Sequence, residues 1–216
     1  MINIHYDVDG VLRDFHTAAF NLFFTKYPKY KHYTLPVDQI RGWYWIDHLK
    51  VIPGAGDVSA LMDEEIFNNE EMCYRAFYEA KPLVSTKEWL DHIDKIEKVS
   101  ADVEMNITIS THQYNNISRL ATLNWLSKYN FMDGDKINLL FTGKKEQCGA
   151  DFLLDDKVET IKTLNETKTS IGVLKLNEYS NSWYIKQHKH ITFPTAKTLD
   201  DFYLIIKKNI LNFILI

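Results

Sequence analysis

The sequence predicts an α/β fold with a parallel sheet, interrupted after its first strand by a mainly helical segment. Short apolar runs alternate with helical patterns along most of the 216 residues, which is typical of a parallel sheet covered on both faces. Residues 17–82 lack this alternation. Acidic or hydroxyl residues follow four of the apolar runs, at the carboxyl edge where open α/β sheets place their ligands.

The first predicted strand covers residues 2–6 and leads into the stretch Asp-Val-Asp-Gly-Val-Leu at residues 7–12. Asp7 and Asp9 project to the same side of a strand exit, because strand side chains repeat every two residues. Such carboxylates repel one another unless a cation such as Mg²⁺ neutralises them. The same residues also suit an ordinary turn, and by themselves they leave both interpretations open. A calcium loop is excluded because Val11 occupies its third ligand position.

Further strands are predicted where apolar runs end in polar residues. One run ends in Ser110 and Thr111, another in Thr142 and Gly143, and a third in two aspartates. A possible fifth strand follows them. The four runs are residues 106–109, 136–141, 152–154 and 170–174.

Helices are predicted between these strands from apolar residues at helical spacing and from capping boxes. Ser85 and Glu88 mark one helix start, and Thr198 and Asp201 mark another. The apolar positions form four groups: Trp89, Leu90, Ile93 and Ile96; Leu120, Leu123 and Leu126, with Trp125 and Tyr129; Val158, Ile161 and Leu164; and Leu199, Phe202, Ile206 and Ile210.

The segment 17–82 is rich in aromatic residues and punctuated by prolines, so it reads as short helices and loops. We expect it to form a cap over the carboxyl ends of the strands, with residues 1–16 and 83–216 forming the core. Most of its aromatic residues should fill the segment's own interior. Trp43, Tyr44 and Trp45 are the exception, because three consecutive large rings cannot all face one small core.

Composition and charge restrict the partners of the chain. A net charge of −4 gives no electrostatic case for a nucleic-acid duplex. Cys73 and Cys148 form no metal-type spacing or disulfide framework, which suits free thiols in a reducing compartment. No targeting segment is recognised, and the apolar residues 210–216 are too few to span a bilayer. We therefore expect a cytoplasmic protein without a membrane partner, for which a homodimer is one possible assembly.

The residues at the strand ends form a set that suits a phosphate ester. An attacking carboxylate is repelled by the phosphate dianion, so Mg²⁺ and a lysine must offset that charge while hydroxyl donors hold the oxygens. The basic pair Lys144 and Lys145 lies in the chain between the strand that ends in Ser110 and Thr111 and the strand that ends in two aspartates. A carboxylate can then form an aspartyl-phosphate, with a second acid moving the protons.

In this order the motifs resemble the four-motif signature of the haloacid dehalogenase superfamily. They are Asp7-x-Asp9-Gly10, Ser110-Thr111, Lys145 and Asp155-Asp156. Over about residues 2–160 the chain is more closely similar to the 5′(3′)-deoxyribonucleotidases, the cytosolic and mitochondrial pyrimidine nucleotidases. Three stretches carry that similarity: residues 7–15, in which Arg13 stands where a small residue is usual; residues 41–45, Arg-Gly-Trp-Tyr-Trp; and the ten-residue spacing from Lys145 to Asp155.

The resemblance implies a Rossmann-like core and a catalytic pair. Asp7 would be the nucleophile and a metal ligand. Asp9 would be the general acid and base, with its backbone carbonyl on the metal. Asp156 would bind Mg²⁺ directly, and Asp155 would lie next to the metal or in the layer of residues around its ligands.

For substrate binding, the resemblance implies that Ser110 and Thr111 hold the phosphate and that Lys145 offsets its charge, with Lys144 as the alternative lysine. Phe15, Trp43 and Tyr44 would contact the base or sugar. His5, His16 and His112 have no required role in this mechanism.

These observations predict a Mg²⁺-dependent phosphatase for nucleoside monophosphates, and deoxyribonucleotides in particular, since bases stack on aromatic rings. One alternative keeps the core and changes the substrate to sugar phosphates or nucleic-acid ends. A receiver-type signalling domain is a non-enzymatic alternative, but its acid pair precedes its phosphorylated aspartate. Here Asp7 and Asp9 come first and Asp155 and Asp156 last.

Overall fold

The computed structural model describes residues 1–99, 103–132, 137–167, 170–177, 181–188 and 191–214. Within these residues the strands form a single parallel sheet in the order β3-β2-β1-β4-β5-β6, so the predicted fold class is confirmed. The strands are β1 (Ile2–Tyr6), β2 (Met105–Thr111), β3 (Ile137–Phe141), β4 (Phe152–Asp155), β5 (Ile171–Lys175) and β6 (Thr195–Ala196).

The strand order reverses direction between β1 and β4. The chain runs outward from β1 through β2 to β3, then returns to the other side of β1 and continues from β4 to β6. Ile4 pairs with Ile107 on one side and with Phe152 on the other. In open α/β sheets the crevice at such a reversal is where ligands bind.

Three residues that the sequence prediction placed just after a strand belong to that strand. Ser110 and Thr111 belong to β2, and Asp155 belongs to β4, because the polar residues continue the ladder for one or two positions. The strand β6 was not predicted, since two residues are too few to show a pattern. Residue 136, predicted to begin β3, lies outside the described residues.

Helices cover the sheet and build the inserted segment. Both predicted capping boxes are confirmed: the Glu88 amide donates to Ser85 Oγ at 3.2 Å, and the Asp201 amide donates to Thr198 Oγ1 at 3.1 Å. The helices are α1 (Phe15–Lys26), α2 (Ala55–Asp63), α3 (Glu70–Tyr78), α4 (Thr86–Glu97), α5 (Asn116–Lys128), α6 (Val158–Glu166), α7 (Ser182–Gln187) and α8 (Leu199–Ile214). Within the described residues, none of these is long and apolar enough to span a membrane.

The buried face of α5 includes Leu126 and Trp125 of the predicted stripe, but not Leu120 and Leu123. Leu120 and Leu123 are 50% and 45% exposed, whereas Ala121 and Trp125 are fully buried. The indole of Trp125 donates to the carbonyl of Ala80 at 2.8 Å, which turns this face toward the returning chain. A small residue at position 121 lets α5 pack closely on the inserted segment.

The inserted segment has its own hydrophobic cluster. Its buried members lie between Phe15 and Phe77, joined by Ala121 from α5, while a second cluster fills the space around the sheet. The chain leaves and re-enters the sheet region at adjacent points, where Asp14 donates to Lys81 and Leu83 donates to Leu12. The division into a core of residues 1–16 and 83–216 and a cap of residues 17–82 stays a prediction.

Candidate active site

Three buried carboxylates meet at the point where the strand order reverses. Asp7 follows β1 directly, and its amide donates to the Leu154 carbonyl of β4 at 2.9 Å. Asp155 ends β4 and Asp156 follows it. One oxygen from each of the three lies within 4.8 Å of the others, and all three residues are at least nine-tenths buried. Parallel pairing of β1 with β4 therefore produces the acidic cluster.

Gly10 allows the turn after β1 to approach this cluster. Its φ is 76°, in the left-handed region that favours glycine. A Cβ at this position would lie 1.7 Å from Asp156 Oδ2. Any larger residue would push the acidic cluster apart, so the glycine of the Asp-x-Asp-Gly motif has a spatial as well as a conformational role.

Lys145 connects two of the carboxylates. It begins a short 3-10 helix, Lys145–Gln147, after β3. Its Nζ lies 2.6 Å from Asp7 Oδ2 and 2.7 Å from Asp155 Oδ2. The neighbouring Lys144 is exposed. The geometry thus brings Lys145, and not Lys144, against the predicted nucleophile.

The charges in this cluster shift the pKa values of its members. Burial raises the pKa of Asp7 to about 7, and the positive charge of Lys145 opposes that rise. Burial alone would lower the pKa of Lys145, but the charges of Asp155 and Asp7 hold it above its usual value. The lysine is therefore a permanent cation at this site, and added positive charge would favour the carboxylate form of Asp7.

The residues present fit a hard divalent cation. Three buried carboxylates supply only oxygen donors, which is the ligand type that Mg²⁺ prefers. Both oxygens of Asp155 already accept hydrogen bonds, one from Lys145 Nζ and one from the Lys157 amide at 2.7 Å. The two oxygens of Asp7 likewise have partners, the Val8 amide and Lys145 Nζ. The division of the three aspartates into direct ligands and a neighbour of the metal therefore stays a prediction. The Asp9 side chain does not belong to this cluster.

The two predicted phosphate-binding hydroxyls have different surroundings. Thr111 lines the cleft above Asp7, and its hydroxyl accepts a hydrogen bond from Gln113 Nε2 at 3.0 Å. Ser110 is fully buried and does not line the cleft. Its hydroxyl has no hydrogen-bond partner among the described residues. Because unpaired buried hydroxyls are costly, Ser110 has an unused capacity to bind an oxygen at this end of the sheet.

Asp9 is held by an arginine rather than by the acidic cluster. Arg13 Nε donates to Asp9 Oδ1 at 2.7 Å, and Arg13 Nη2 donates to Oδ2 at 3.0 Å. Arg13 is fully buried and Asp9 is partly exposed to the cleft. Arg13, which stands where a small residue is usual in the pyrimidine nucleotidases, therefore contacts the predicted acid–base residue directly.

A cleft of about 300 Å³ opens above this charged floor. From the sheet side it is lined by Asp7, Asp9, Thr111 and Lys145. On the other side it is lined by Phe15 at the start of α1 and by Trp43, Tyr44 and Trp45 of the inserted segment. The structure thus brings the predicted nucleophile, acid–base residue, lysine and aromatic residues to one cavity. Of the three consecutive rings, Trp45 is buried, Trp43 is half-buried and Tyr44 is 73% exposed, as the sequence predicted.

Comparison with protein families shows the family to which this chain belongs. The family model for "5′ nucleotidase, deoxy (pyrimidine), cytosolic type C protein" matches residues 1–190. The chain belongs to this family. The nucleotidase is therefore a phosphoric monoester hydrolase with a haloacid dehalogenase-like fold. No curated protein matches it in sequence.

Solved structures similar to the nucleotidase share its fold at low sequence identity. A haloacid dehalogenase-like hydrolase of Streptococcus pneumoniae is 15% identical, with a TM-score of 0.53 over 93% of this chain and 96% of that one. A magnesium-bound hydrolase of the same type from Bacillus subtilis is 12% identical, with a TM-score of 0.53 over 94% and 97%. A Pseudomonas syringae hydrolase is 13% identical, with a TM-score of 0.53 over 96% and 99%.

Several residues that line the nucleotidase cleft were not predicted. Ser59 and Asp63 come from α2, Tyr114 follows β2, and Lys157 and Thr160 surround the start of α6. No short-range pattern marks these positions, because α2 reaches the cleft only through the packing of the inserted segment. A helix start directly after Asp155 and Asp156 could have indicated Lys157.

The three histidines considered in the sequence also have defined positions in the nucleotidase. His5 is buried within β1, and burial lowers its pKa. His16 and His112 both line the cleft, and burial lowers the pKa of His16 to about 4. His16 is therefore uncharged near neutral pH. None of the three contacts the Asp7–Lys145 pair by a hydrogen bond in the described residues.

Proposed function

We propose that this nucleotidase hydrolyses nucleoside monophosphates, and deoxyribonucleoside monophosphates in particular, through an aspartyl-phosphate on Asp7 with Mg²⁺ as cofactor. One observation carries the proposal. Asp7 lies buried at the floor of an aromatic-lined cleft with Lys145 Nζ 2.6 Å from its Oδ2. A charged floor suits the phosphate, and aromatic walls suit a base or sugar.

In the first step, a carboxylate oxygen of Asp7 forms a bond to phosphorus. The bond from phosphorus to the ester oxygen breaks, and the ester oxygen takes a proton from Asp9 and leaves as the nucleoside alcohol. The Val8 amide donates to Asp7 Oδ1 at 2.7 Å and Lys145 contacts Oδ2, so the plane of the attacking carboxylate is fixed. Holding the attacking oxygen in a fixed orientation toward phosphorus lowers the entropic cost of reaching the transition state.

In the second step, water attacks phosphorus of the aspartyl-phosphate while Asp9 accepts its proton. The bond from phosphorus to Asp7 breaks, which releases inorganic phosphate and restores the carboxylate. Lys145 offsets negative charge in both steps, and Ser110 and Thr111 are the hydroxyls available to the phosphate oxygens. Mg²⁺ held by Asp7 and Asp156 would supply further charge compensation at the phosphate.

The preference for nucleotides rests on the inserted segment. Trp43 and Tyr44 present aromatic surface to the cleft, and Phe15 also lines it, stacked on Phe77 with ring centroids 4.4 Å apart. The family name specifies deoxy and pyrimidine nucleotidases and a cytosolic type, which supports a deoxyribonucleotide substrate and a cytoplasmic location. A net charge of −4 does not favour a nucleic-acid duplex as substrate.

A panel of phosphomonoesters tests this proposal. Phosphate release is measured with Mg²⁺ for ribo- and deoxyribonucleoside 5′- and 3′-monophosphates, for sugar phosphates and for a 5′-phosphorylated oligonucleotide. Deoxyribonucleoside monophosphates are expected to have the highest kcat/KM, and chelation by EDTA is expected to stop turnover. If sugar phosphates or the oligonucleotide were hydrolysed faster than every nucleotide, the proposed substrate class would be wrong.

A further inference from the structure

Arg13 is a fully buried cation in the turn that carries Asp9. Besides its two contacts with Asp9, its Nη1 donates to the Phe77 carbonyl at 3.1 Å and its Nη2 donates to Thr122 Oγ1 at 3.0 Å. Its guanidinium carbon lies 5.0 Å from the centre of the Phe77 ring and 5.2 Å from that of Trp125. These contacts come from α3 and α5, so the guanidinium has one defined orientation.

A buried guanidinium in this position requires a specific partner. Burying an unpaired charge is strongly unfavourable, and Asp9 is the acid with which Arg13 forms an ion pair. The paired contacts, Nε to Oδ1 and Nη2 to Oδ2, form the two-pronged geometry that arginine offers to a carboxylate and lysine does not. The plane of the Asp9 carboxylate is thereby set by Arg13.

Gln113 adds a third contact to the same carboxylate. Its Nε2 donates to Asp9 Oδ2 at 3.1 Å and to Thr111 Oγ1 at 3.0 Å, and its side chain is buried. A carboxylate oxygen accepts about two hydrogen bonds. Oδ2 therefore has both positions filled, by Arg13 and Gln113, whereas Oδ1 accepts only from Arg13 in the described residues.

We propose that Arg13 and Gln113 are positioning residues that fix the Asp9 carboxylate so that Oδ1 is the atom that exchanges protons. This inference rests on the proposed function. Asp9 would enter the first step with its carboxyl protonated on Oδ1 and give that proton to the ester oxygen as the phosphorus–oxygen bond breaks. As the carboxylate then paired with Arg13, it would take a proton from the water that attacks the aspartyl-phosphate. Neither Arg13 nor Gln113 contacts the reacting atoms; both act through Asp9.

Two substrates with different leaving groups can show whether Arg13 and Gln113 position Asp9 or only stabilise the fold. A nucleoside leaves as a basic alkoxide and needs a proton from Asp9, whereas p-nitrophenolate leaves as a stable anion and needs none. The value of kcat/KM reports on events up to departure of the leaving group. Misplacing Oδ1 should therefore lower kcat/KM for a nucleotide much more than for p-nitrophenyl phosphate.

The experiment compares both substrates with the wild-type chain and with Arg13→Lys and Gln113→Met. Lysine keeps the buried charge but loses the two-pronged contact, and methionine keeps the volume of Gln113 but loses its amide. We expect Arg13→Lys to lower kcat/KM for a deoxyribonucleoside monophosphate at least about tenfold more than for p-nitrophenyl phosphate. Gln113→Met should change the ratio in the same direction by roughly two- to fivefold, because Asp9 Oδ2 loses one of its two hydrogen bonds.

Arg75→Lys is the matched control, because Arg75 makes a similar contact with Glu79 on the exposed face of α3. It should leave both kcat/KM values unchanged. Equal losses on the two substrates, or no loss, in the folded variants would overturn the inference. If circular dichroism showed that Arg13→Lys does not fold, Gln113→Met would decide alone. A wild-type chain that hydrolysed no nucleotide would refute the proposed function instead.

Discussion

The floor and the wall of the cleft are built on different principles. On the floor, Lys145 Nζ lies 2.6 Å and 2.7 Å from two buried carboxylates, and backbone amides fix the remaining oxygens of both. On the wall, Tyr44 is 73% exposed and Trp43 half-buried, and their contribution to the cleft is aromatic surface. Ion pairs and hydrogen bonds fix the charged groups of the floor, whereas the rings of the wall contribute mainly nonpolar contact surface.

This difference assigns separate tasks to the two regions. A charged, buried cluster loses its function when one member is displaced, because the remaining charges are then unpaired in a low dielectric. Ring surfaces tolerate changes in orientation and recognise a face rather than an atom. Changes to the cluster of Asp7, Lys145 and Asp155 should therefore lower the turnover of every phosphate ester alike, while changes on the wall should alter the ranking of substrates.

The largest effect is expected from Lys145→Met. Turnover of all phosphomonoesters should fall roughly 10²–10³-fold, because the charge that faces the phosphate is lost. The free energy of unfolding should also fall by about 3–5 kcal/mol, since Asp7 and Asp155 are left without their cation. Steady-state kinetics and urea unfolding measure the two losses.

Lys144→Met is the matched control for this change, because Lys144 is adjacent in sequence but exposed. It should leave turnover within about twofold and stability within about 0.5 kcal/mol of the unchanged chain. If Lys144→Met had the larger effect on turnover, the assignment of the working lysine would be wrong.

An effect of intermediate size is expected on the stability of the protein in acid, where buried histidines become important. Burial lowers the pKa of His16 in α1 to about 4, that of His48 in the inserted segment to about 3, and that of His92 in α4 to about 4. An unfolded histidine has a pKa near 6.5. Between that value and the folded values the unfolded chain binds more protons, so stability should fall as the pH drops from about 6.5 toward 4.

Each of these histidines should lower the free energy of unfolding by about 2 kcal/mol at pH 5 relative to pH 7. Urea unfolding at both pH values measures the loss. His48→Leu should remove about one histidine's share of it, whereas His32→Leu, at an exposed position, should remove none. An acid-induced loss unchanged by His48→Leu would contradict burial as its cause.

The smallest effect is expected on the wall. Tyr44→Ala should lower kcat/KM for nucleotides by roughly fivefold, about 1 kcal/mol of ring contact, with little change for p-nitrophenyl phosphate or in stability. Tyr44→Phe keeps the ring and should behave like the unchanged chain. A uniform loss on both substrates would place Tyr44 among the groups that serve the chemistry rather than those that select the substrate.

The same division explains what the sequence could predict. The floor follows from local patterns, because β1 and β4 deliver Asp7 and Asp155 to adjacent positions whenever both strands are parallel. The wall depends on how α2 and the 3-10 helix Trp45–His48 pack, so no sequence pattern indicated Ser59 and Asp63. On α5, Leu120 and Leu123 gave a helical stripe that faces solvent, because the contact with Ala80 rotates the helix. Arg13 was visible as a departure from the expected pattern, but its pairing with Asp9 required the fold.

Trapping the covalent intermediate tests the central claim most directly. In Asp9→Asn the amide cannot accept the proton of water, so hydrolysis of the aspartyl-phosphate should slow more than its formation from p-nitrophenyl phosphate. Mass spectrometry of the acid-quenched protein should then show one phosphoryl group, mapped to the peptide containing Asp7. The double variant that also carries Asp7→Asn should show none. Release of p-nitrophenolate with no phosphoryl group bound, or with the group on another residue, would contradict the account.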